Sequence, residues 1–450
     1  MQVNNEAVCH PSPALDLSTF AQSLYNKTVM HIRYLSLTNF RNYARLELTL
    51  PERPLLLYGA NAQGKTSLLE AIYLLATGSS PLANRDHQLI RWQAAAEGLP
   101  YARVWAEVVH QKRIHEVEIV IENKPLTNGS TRTQKSIRIN RAHKRRADLS
   151  GQLNVVIFMP QDVGLIAGSP SGRRRYLDDT LCQVDPTYST ALDQYDDALR
   201  QRNAALRHIR DEGGNPAQLA PFEAILARQG VVVTNTRRLL IAALSQRAGH
   251  IHQKLTGETE WLRLDYQPSF DPAAPPNRDY QIDLSLSPPT GPPSSTEFGG
   301  EIQDKIEIED EELITAFQEM LENKRQEEIL RGVTSVGPHR DEMAFVAGSP
   351  VHGTHDVDLR TYGSRGQQRT AVLSLKLAEM TWMQDVTNES PVLLLDEVLA
   401  ELDASRRRYL LDRVESVEQG LLTATDLDMF SPDFRKRAIL WEVQGGVISR

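Results

Sequence analysis

Cysteine is nearly missing from this 450-residue chain: there are two, Cys9 and Cys182, at no spacing that a metal site uses. That excludes a disulfide framework and fits a reducing compartment, so a cytoplasmic location is expected. Long hydrophobic runs are absent too, and none approaches the roughly 18 residues a membrane span needs. Positive charge is not in excess, since 50 Lys and Arg face 58 Asp and Glu, for a net of −8. A uniformly basic nucleic-acid binder is thereby excluded, and any such role must rest on a local patch. Residues 1–29 contain no Arg and lack the basic start and apolar core of an export signal. They are expected to be dispensable, either disordered or the product of an over-long start, ahead of the strand pattern that opens at Met30.

From Met30 to about Val156 short strands dominate, among them IRYLSL, RLELTL, PLLLYG, ARVWAEVV and NVVIFM, several alternating apolar with polar residues. One helix, GKTSLLEAIYLLATG, interrupts them. After MPQD the character changes. Residues 173–211 and 217–255 are long and polar, with apolar residues at helical spacing such as Leu192, Tyr195 and Leu199, then Phe222, Ile225, Leu226, Val232 and Val233. DEGGNP stops one helix and turns into the next, which predicts an antiparallel helical hairpin. Residues 268–300 hold eight of the 24 prolines, a density that reads as a surface loop or disordered insertion. An acidic helix is predicted over 307–331, and helix and strand alternate from there to the end. The βα pattern opens and closes the chain, so its two ends are expected to form one sheet-centred unit.

Two stretches carry phosphate chemistry. GANAQGKT, running Gly59, Ala60, Asn61, Ala62, Gln63, Gly64, Lys65, Thr66 and on to Ser67, follows an apolar strand and opens a helix. Its glycines let backbone N–H groups wrap phosphate oxygens, Lys65 neutralises the β/γ charge of ATP, and the Thr66 hydroxyl suits Mg²⁺. The second is PVLLLDEVLAELD, in which Val392 to Leu395 read as a central strand delivering Asp396 and Glu397 to its C-terminal end. Asp396 is the candidate Mg²⁺ ligand, and Glu397 the candidate catalytic residue that orients the attacking water.

A third stretch, TYGSRGQQRTAVLSLKLAEM, puts Gly363, Ser364, Arg365, Gly366, Gln367 and Gln368 at the mouth of a helix with no lysine of its own. Exposed N–H groups there attract anions, although a plain N-cap by Ser364 explains the serine equally well. GSRGQQ is similar to the signature loop of ABC-type ATPases, in which Ser and Gly N–H groups reach the γ-phosphate across a dimer. That similarity assigns Ser364, Arg365, Gly366 and Gln367 to nucleotide contacts in trans. It also puts Gln161 of MPQD at a Q-loop position near Mg²⁺ and nucleotide, and Asp403 of AELD at a D-loop position.

Taken together, LTNFRN, GSPSGRRRYLDD, LRQRNAALR, VGPHRD, GSRGQQRT and LLLDEVLAELD resemble the RecF family of bacterial recombination and gap-repair ATPases. The resemblance covers about residues 30–267 and 310–430. It implies an α/β fold: an ABC-type P-loop ATPase head, with a mixed sheet and flanking helices, plus an inserted α-helical arm domain. The first part of the head is expected at 30–165, the arm at 166–332 with its 268–300 insertion, and the rest of the head at 333–450. It also implies an ATP-dependent homodimer, acting mainly as a slow ATPase switch, that binds duplex DNA and gapped or single-strand junctions. The implied partners are RecO and RecR, and through them RecA. The chain departs from the family where Asp396-Glu397 stands in place of two Asp, and Gln161 in place of an acid. Thr425 and Asp426 occupy the region of the switch His of other ABC ATPases, as they do in RecF.

DNA contacts have the thinnest basis. Seven Lys and Arg fall between Arg132 and Arg146 with no acid among them, and Lys144, Arg145 and Arg146 are the DNA candidates. A solvated hairpin is the bland reading. Arg173, Arg174 and Arg175 can contact DNA or pair with Asp178 and Asp179 one turn on, and His339 and Arg340 can line the nucleotide cleft or make a structural turn. An ATPase subunit of another ABC system, a transporter or an SMC-like complex, shares the three motifs. A small-molecule kinase leaves GSRGQQ unexplained.

Overall fold

Strands that are apolar on both faces form the centre of the structure, a computed structural model that describes residues 30–94, 97–98, 100–125, 131–270, 306–349 and 354–449. The expectations for 1–29 and for most of the proline-rich stretch, 271–300, lie outside the described residues. β3 (Leu55–Tyr58), β8 (Val155–Phe158), β12 (Val392–Asp396) and β13 (Gly420–Ala424) run parallel with β14 (Ile439–Gln444) in the order β14-β3-β13-β12-β8, and β15 (Val447–Ser449) closes the β14 edge as a hairpin. The period of two along a strand splits their side chains between two cores. Val155, Ile157, Val392, Leu394 and Leu421 face one; Val156, Phe158, Leu393, Leu395 and Leu422 face the other.

The first core is closed by an antiparallel sheet in the order β2-β1-β4-β5-β6-β7: β1 (His31–Phe40), β2 (Tyr43–Thr49), β4 (Tyr101–His110), β5 (Arg113–Pro125), β6 (Thr131–Ile139) and β7 (Ala142–Lys144). Helix α1 (Lys65–Thr77) packs between the two sheets. That is why Leu68, Leu69, Ile72, Leu74 and Leu75 are all buried and the helix has no polar face. Gln419 pins the sheets together. Its buried side chain accepts from Ile32 N at 2.8 Å and donates to Ile32 O at 2.9 Å and Pro51 O at 3.1 Å, substituting for a missing strand partner.

Helices occupy the middle of the chain: α2 (Pro170–Val184), α3 (Pro186–Glu212), α4 (Ala220–Leu255) and α5 (Ile306–Arg331). The single helix expected over 173–211 is two. Asp185 accepts from Thr187 N and Tyr188 N, and Pro186 starts a new helix, which the Asp-Pro-Thr run announces. Ile225, expected to be apolar-facing, is 42% exposed, because the buried face of α4 runs through Glu223, Leu226, Ala227 and Gly230, and the helical period turns position 225 away from it. Charge enters that face at Glu223. There the fully buried Arg202 donates to Glu328 at 2.6 Å, Glu223 at 3.0 Å and Thr334 at 2.8 Å. The helices do not stand free. β9 (Trp261–Gln267) pairs with β10 (Glu342–Ser349), which pairs with β11 (Thr354–Asp358), and α4 packs along α6 (Arg365–Thr387) with Arg247 on Asp385 at 2.8 Å.

Replacing Gln419 by Ala leaves the Ile32 and Pro51 groups buried without partners. The expected cost is about 2–3 kcal/mol of global stability, read by urea denaturation.

Candidate nucleotide site

The turn after β3 is held by close backbone approach. A Cβ at Gly59 (φ 145°) would lie 2.4 Å from Val443 O, and one at Gly64 (φ 114°) 2.8 Å from the Tyr43 hydroxyl, so both positions demand glycine. Tyr43 donates to Gly64 O at 3.0 Å and Asn42 to Gln63 O at 3.1 Å. The hairpin at Gly445-Gly446 donates to Gln63 Oε1 at 2.6 Å and Gln63 O at 3.0 Å. Lys65 is thus fixed at the first position of α1, only 3% exposed. Its ammonium donates to Gly59 O at 2.6 Å and Ala60 O at 2.9 Å and lies 3.1 Å from Glu397 Oε1.

β12 delivers the acids to the same place. Thr66 Oγ1 donates to the Asp396 carboxylate at 2.8 and 2.9 Å, and Thr423 Oγ1 donates to Asp396 Oδ1 at 2.8 Å. Burial raises the Asp396 pKa, while the two hydroxyls and Lys65 pull against that rise. Glu397 sits in the left-handed region (φ 51°), its N–H on Thr423 Oγ1 at 3.0 Å. A helix N-terminus, a buried lysine and a hydroxyl–carboxylate pair fit a phosphate chain with Mg²⁺, since Mg²⁺ takes oxygen donors of this kind. The adjoining cavity measures about 800 Å³, and its lining includes Ala62 to Ser67, Glu397, Arg41, Gln88 and Trp92.

The remaining candidates lie apart from that cavity. Gln161 leaves the same sheet end as Asp396, because Phe158 is level with Leu395, but its exposed amide donates to Met159 Sδ at 3.3 Å. Ser364 caps α6: its Oγ accepts from Gln367 N at 3.2 Å, and Gln367 Oε1 accepts from Ser364 N at 3.0 Å. Arg365 and Gly366 are exposed. Asp403 caps α7 (Ala404–Glu415) and binds Arg406 at 2.7 Å; the Arg406 and Ser405 hydrogen bonds lower its pKa.

Of the basic run, β5 and neighbouring acids take most. Arg138 pairs with Glu118 at 3.1 Å, Arg141 with Glu116 at 3.3 Å and Lys135 with Asp86 at 3.1 Å. Arg146 turns inward to Asp179 at 3.1 Å and Thr77 O at 3.1 Å, whereas Lys144 and Arg145 stay exposed. Arg173 is buried on Glu342 at 2.5 Å, Arg174 donates to Asp341 O, and Arg175 reaches Asp179 at 3.5 Å. His339 belongs to a structural turn, between the Tyr195 hydroxyl at 2.7 Å and Thr334 O at 3.1 Å. Sequence reasoning missed Thr423, Tyr43 and Glu260, whose carboxylate accepts from Gln367 Nε2 at 3.0 Å. Thr423 stood within the quoted strand GLLTATD, but only the register that sets it beside Asp396 gives it a role.

Residues 31–439 match the family model described as RecF/RecN/SMC N terminal domain. The DNA replication and repair protein RecF of Herpetosiphon aurantiacus is 39% identical over 428 residues, covering 93% of this chain and 99% of the relative. The protein of the same description from Chloroflexus aggregans is 40% identical over 427 residues, with the same shares. A solved structure of the recombination mediator protein RecF-ATPrS in the RecFOR pathway is similar at a TM-score of 0.74 and 27% identity, covering 94% of this chain and 98% of that one.

Burial pushes the His339 imidazole down to about 4 from the ordinary 6.5, and Arg340, Arg174 and Arg237 push the same way against the Thr334 carbonyl. The unfolded chain therefore binds this proton more tightly. His339 contributes stability that is fully present above about pH 6.5 and is lost as pH falls toward about 4. Denaturation curves across that window are expected to slope less in His339→Asn than in the native chain.

Proposed function

The chain belongs to the RecF family, and on that premise we propose that it is an ATP-dependent DNA-binding protein of DNA replication and repair. The observation that carries the reading is the meeting of Lys65 and Thr66 with Asp396 and Glu397, brought from opposite ends of the chain into one ABC-type site. Thr66 and Asp396 are the residues to hold Mg²⁺, Gln161 joins them only by turning its amide away from Met159, and the metal supplies charge neutralisation to the phosphates when bound. Lys65 binds the β/γ oxygens. In taking them it lets go of Glu397, whose carboxylate then orients the attacking water and accepts its proton. The base is thus held on the lysine until a nucleotide competes for it.

The γ-phosphate of a bound ATP carries charge on a face that one phosphate-binding turn does not cover. We assign its cover to Ser364, Arg365, Gly366 and Gln367 of a second copy, joined head to tail, with Asp403 at the same seam. Gly366 supports this. A Cβ there would meet nothing nearer than Ser364 Oγ at 3.9 Å, so no packing within the chain asks for glycine. Residues 30–165 and 333–450 act as the head, and 166–332 as the arm that closure moves. DNA, duplex or at a single-strand junction, meets Lys144 and Arg145 on the head, while Arg146 braces them from inside. Hydrolysis is slow and resets the clamp. RecR and RecO are the partners, and loading of RecA on gapped DNA is the outcome.

Lys65→Met should weaken ATP binding by about 100-fold or more, the cost of losing a buried charged contact. Ser364→Arg should retain ATP binding by the single chain and lose ATP-dependent dimerisation; calorimetry and sedimentation separate the two. Glu397→Gln should bind ATP and remain on gapped DNA after ATP is added, with release slowed at least about tenfold relative to the native chain, since one general base contributes about 10²–10⁴-fold. Unchanged release would remove Glu397 from its role.

A further inference from the structure

Among the described residues, Trp92 is the most exposed large apolar side chain, at 90%. A lone exposed apolar residue needs no explanation, but this one differs in two respects. It lines the same cavity as Lys65 and Thr66. Its backbone is also fixed to that turn. Arg91 N donates to Asn39 O at 2.8 Å and Arg41 N to Leu89 O at 2.8 Å, and Phe40 bridges Ile90. Arg41 is anchored in turn. Its guanidinium is bidentate on the buried Glu70, at 2.6 and 2.7 Å, and donates to Gln88 O at 3.0 Å. The next residue, Asn42, holds Gln63 of the phosphate turn. A rigid hydrogen-bonded path therefore runs from the phosphate cradle to the indole.

The cavity's lining combines the Lys65 ammonium and the fixed Arg41 guanidinium with a bare aromatic face. That combination matches a molecule with a polyanionic tail and a flat π-system. We propose that Trp92 is the base platform of the nucleotide site, stacking on the purine ring of ATP. The inference rests on the nucleotide reading above and deepens it. Stacking uses the face of the base and not its edge, so this platform favours a purine over a pyrimidine by area and does not separate adenine from guanine.

The test uses the full-length chain with its other four tryptophans intact. ATP, UTP and inorganic tripolyphosphate, each with Mg²⁺, are titrated into native protein, Trp92→Phe and Trp92→Ala while emission and binding heat are recorded. The expected result is that ATP quenches native emission and that Trp92→Phe loses the quench but keeps the affinity. Trp92→Ala should weaken ATP by about tenfold and leave tripolyphosphate unchanged. Native-like ATP affinity in Trp92→Ala, with binding still dependent on Lys65, overturns the platform and spares the nucleotide site. Loss of DNA binding or self-association in Trp92→Ala at unchanged ATP affinity overturns it as well, in favour of those occupants. A native chain that binds neither ATP nor tripolyphosphate overturns both readings.

Discussion

A threonine hydroxyl and an aspartate carboxylate 330 residues apart share a hydrogen bond of 2.8 Å, and the rest of the site depends on it. Asp396 is 6% exposed, and a carboxylate so placed must find partners or lose its charge. Thr66 comes from the helix after β3, and Thr423 from β13, which lies between β3 and β12. The strand order therefore supplies both donors. The parallel sheet joins strands from distant parts of the chain and so brings this carboxylate to the turn after β3.

The second constraint is competition. Lys65 is buried with its ammonium shared among two carbonyls of its own loop and Glu397. That arrangement satisfies the charge without a ligand, and it also ties up the Glu397 carboxylate. A phosphate chain offers stronger charge-assisted bonds to the same ammonium. On the proposed role of Glu397, binding and activation are one exchange of partners. The turn at Ser364 has no comparable internal task beyond capping α6, and Glu260 keeps that turn in shape from the end of the helical stretch.

Much of this was legible in the sequence, and the limits have physical causes. The phosphate turn and the acids after Val392 to Leu395 are contiguous motifs, and local spacing is enough to read them. The parallel strands were legible as apolar runs. Contacts across strands were not. Seven basic residues from Arg132 to Arg146 look like an anion patch until β5 sets Glu118 against Arg138 and Glu116 against Arg141, and pairing partners are invisible in a linear run. Burial of charge misled in the same way. Arg173 reads as a DNA contact or a partner of Asp178 and Asp179, yet it is buried on Glu342, which lies 169 residues away. Glu260 carried no local signal at all, because its partner lies 107 residues away.

The claim that each nucleotide is shared between two copies is tested most directly by mixing two disabled chains. A head-to-tail pair of Lys65→Met with Ser364→Arg keeps one intact site, made of Lys65 from the second and Ser364 from the first. The account predicts that ATP-dependent association and hydrolysis, absent from either variant alone, return when the two are combined. A mixture no more active than the sum of its parts, with both variants folded, would contradict it.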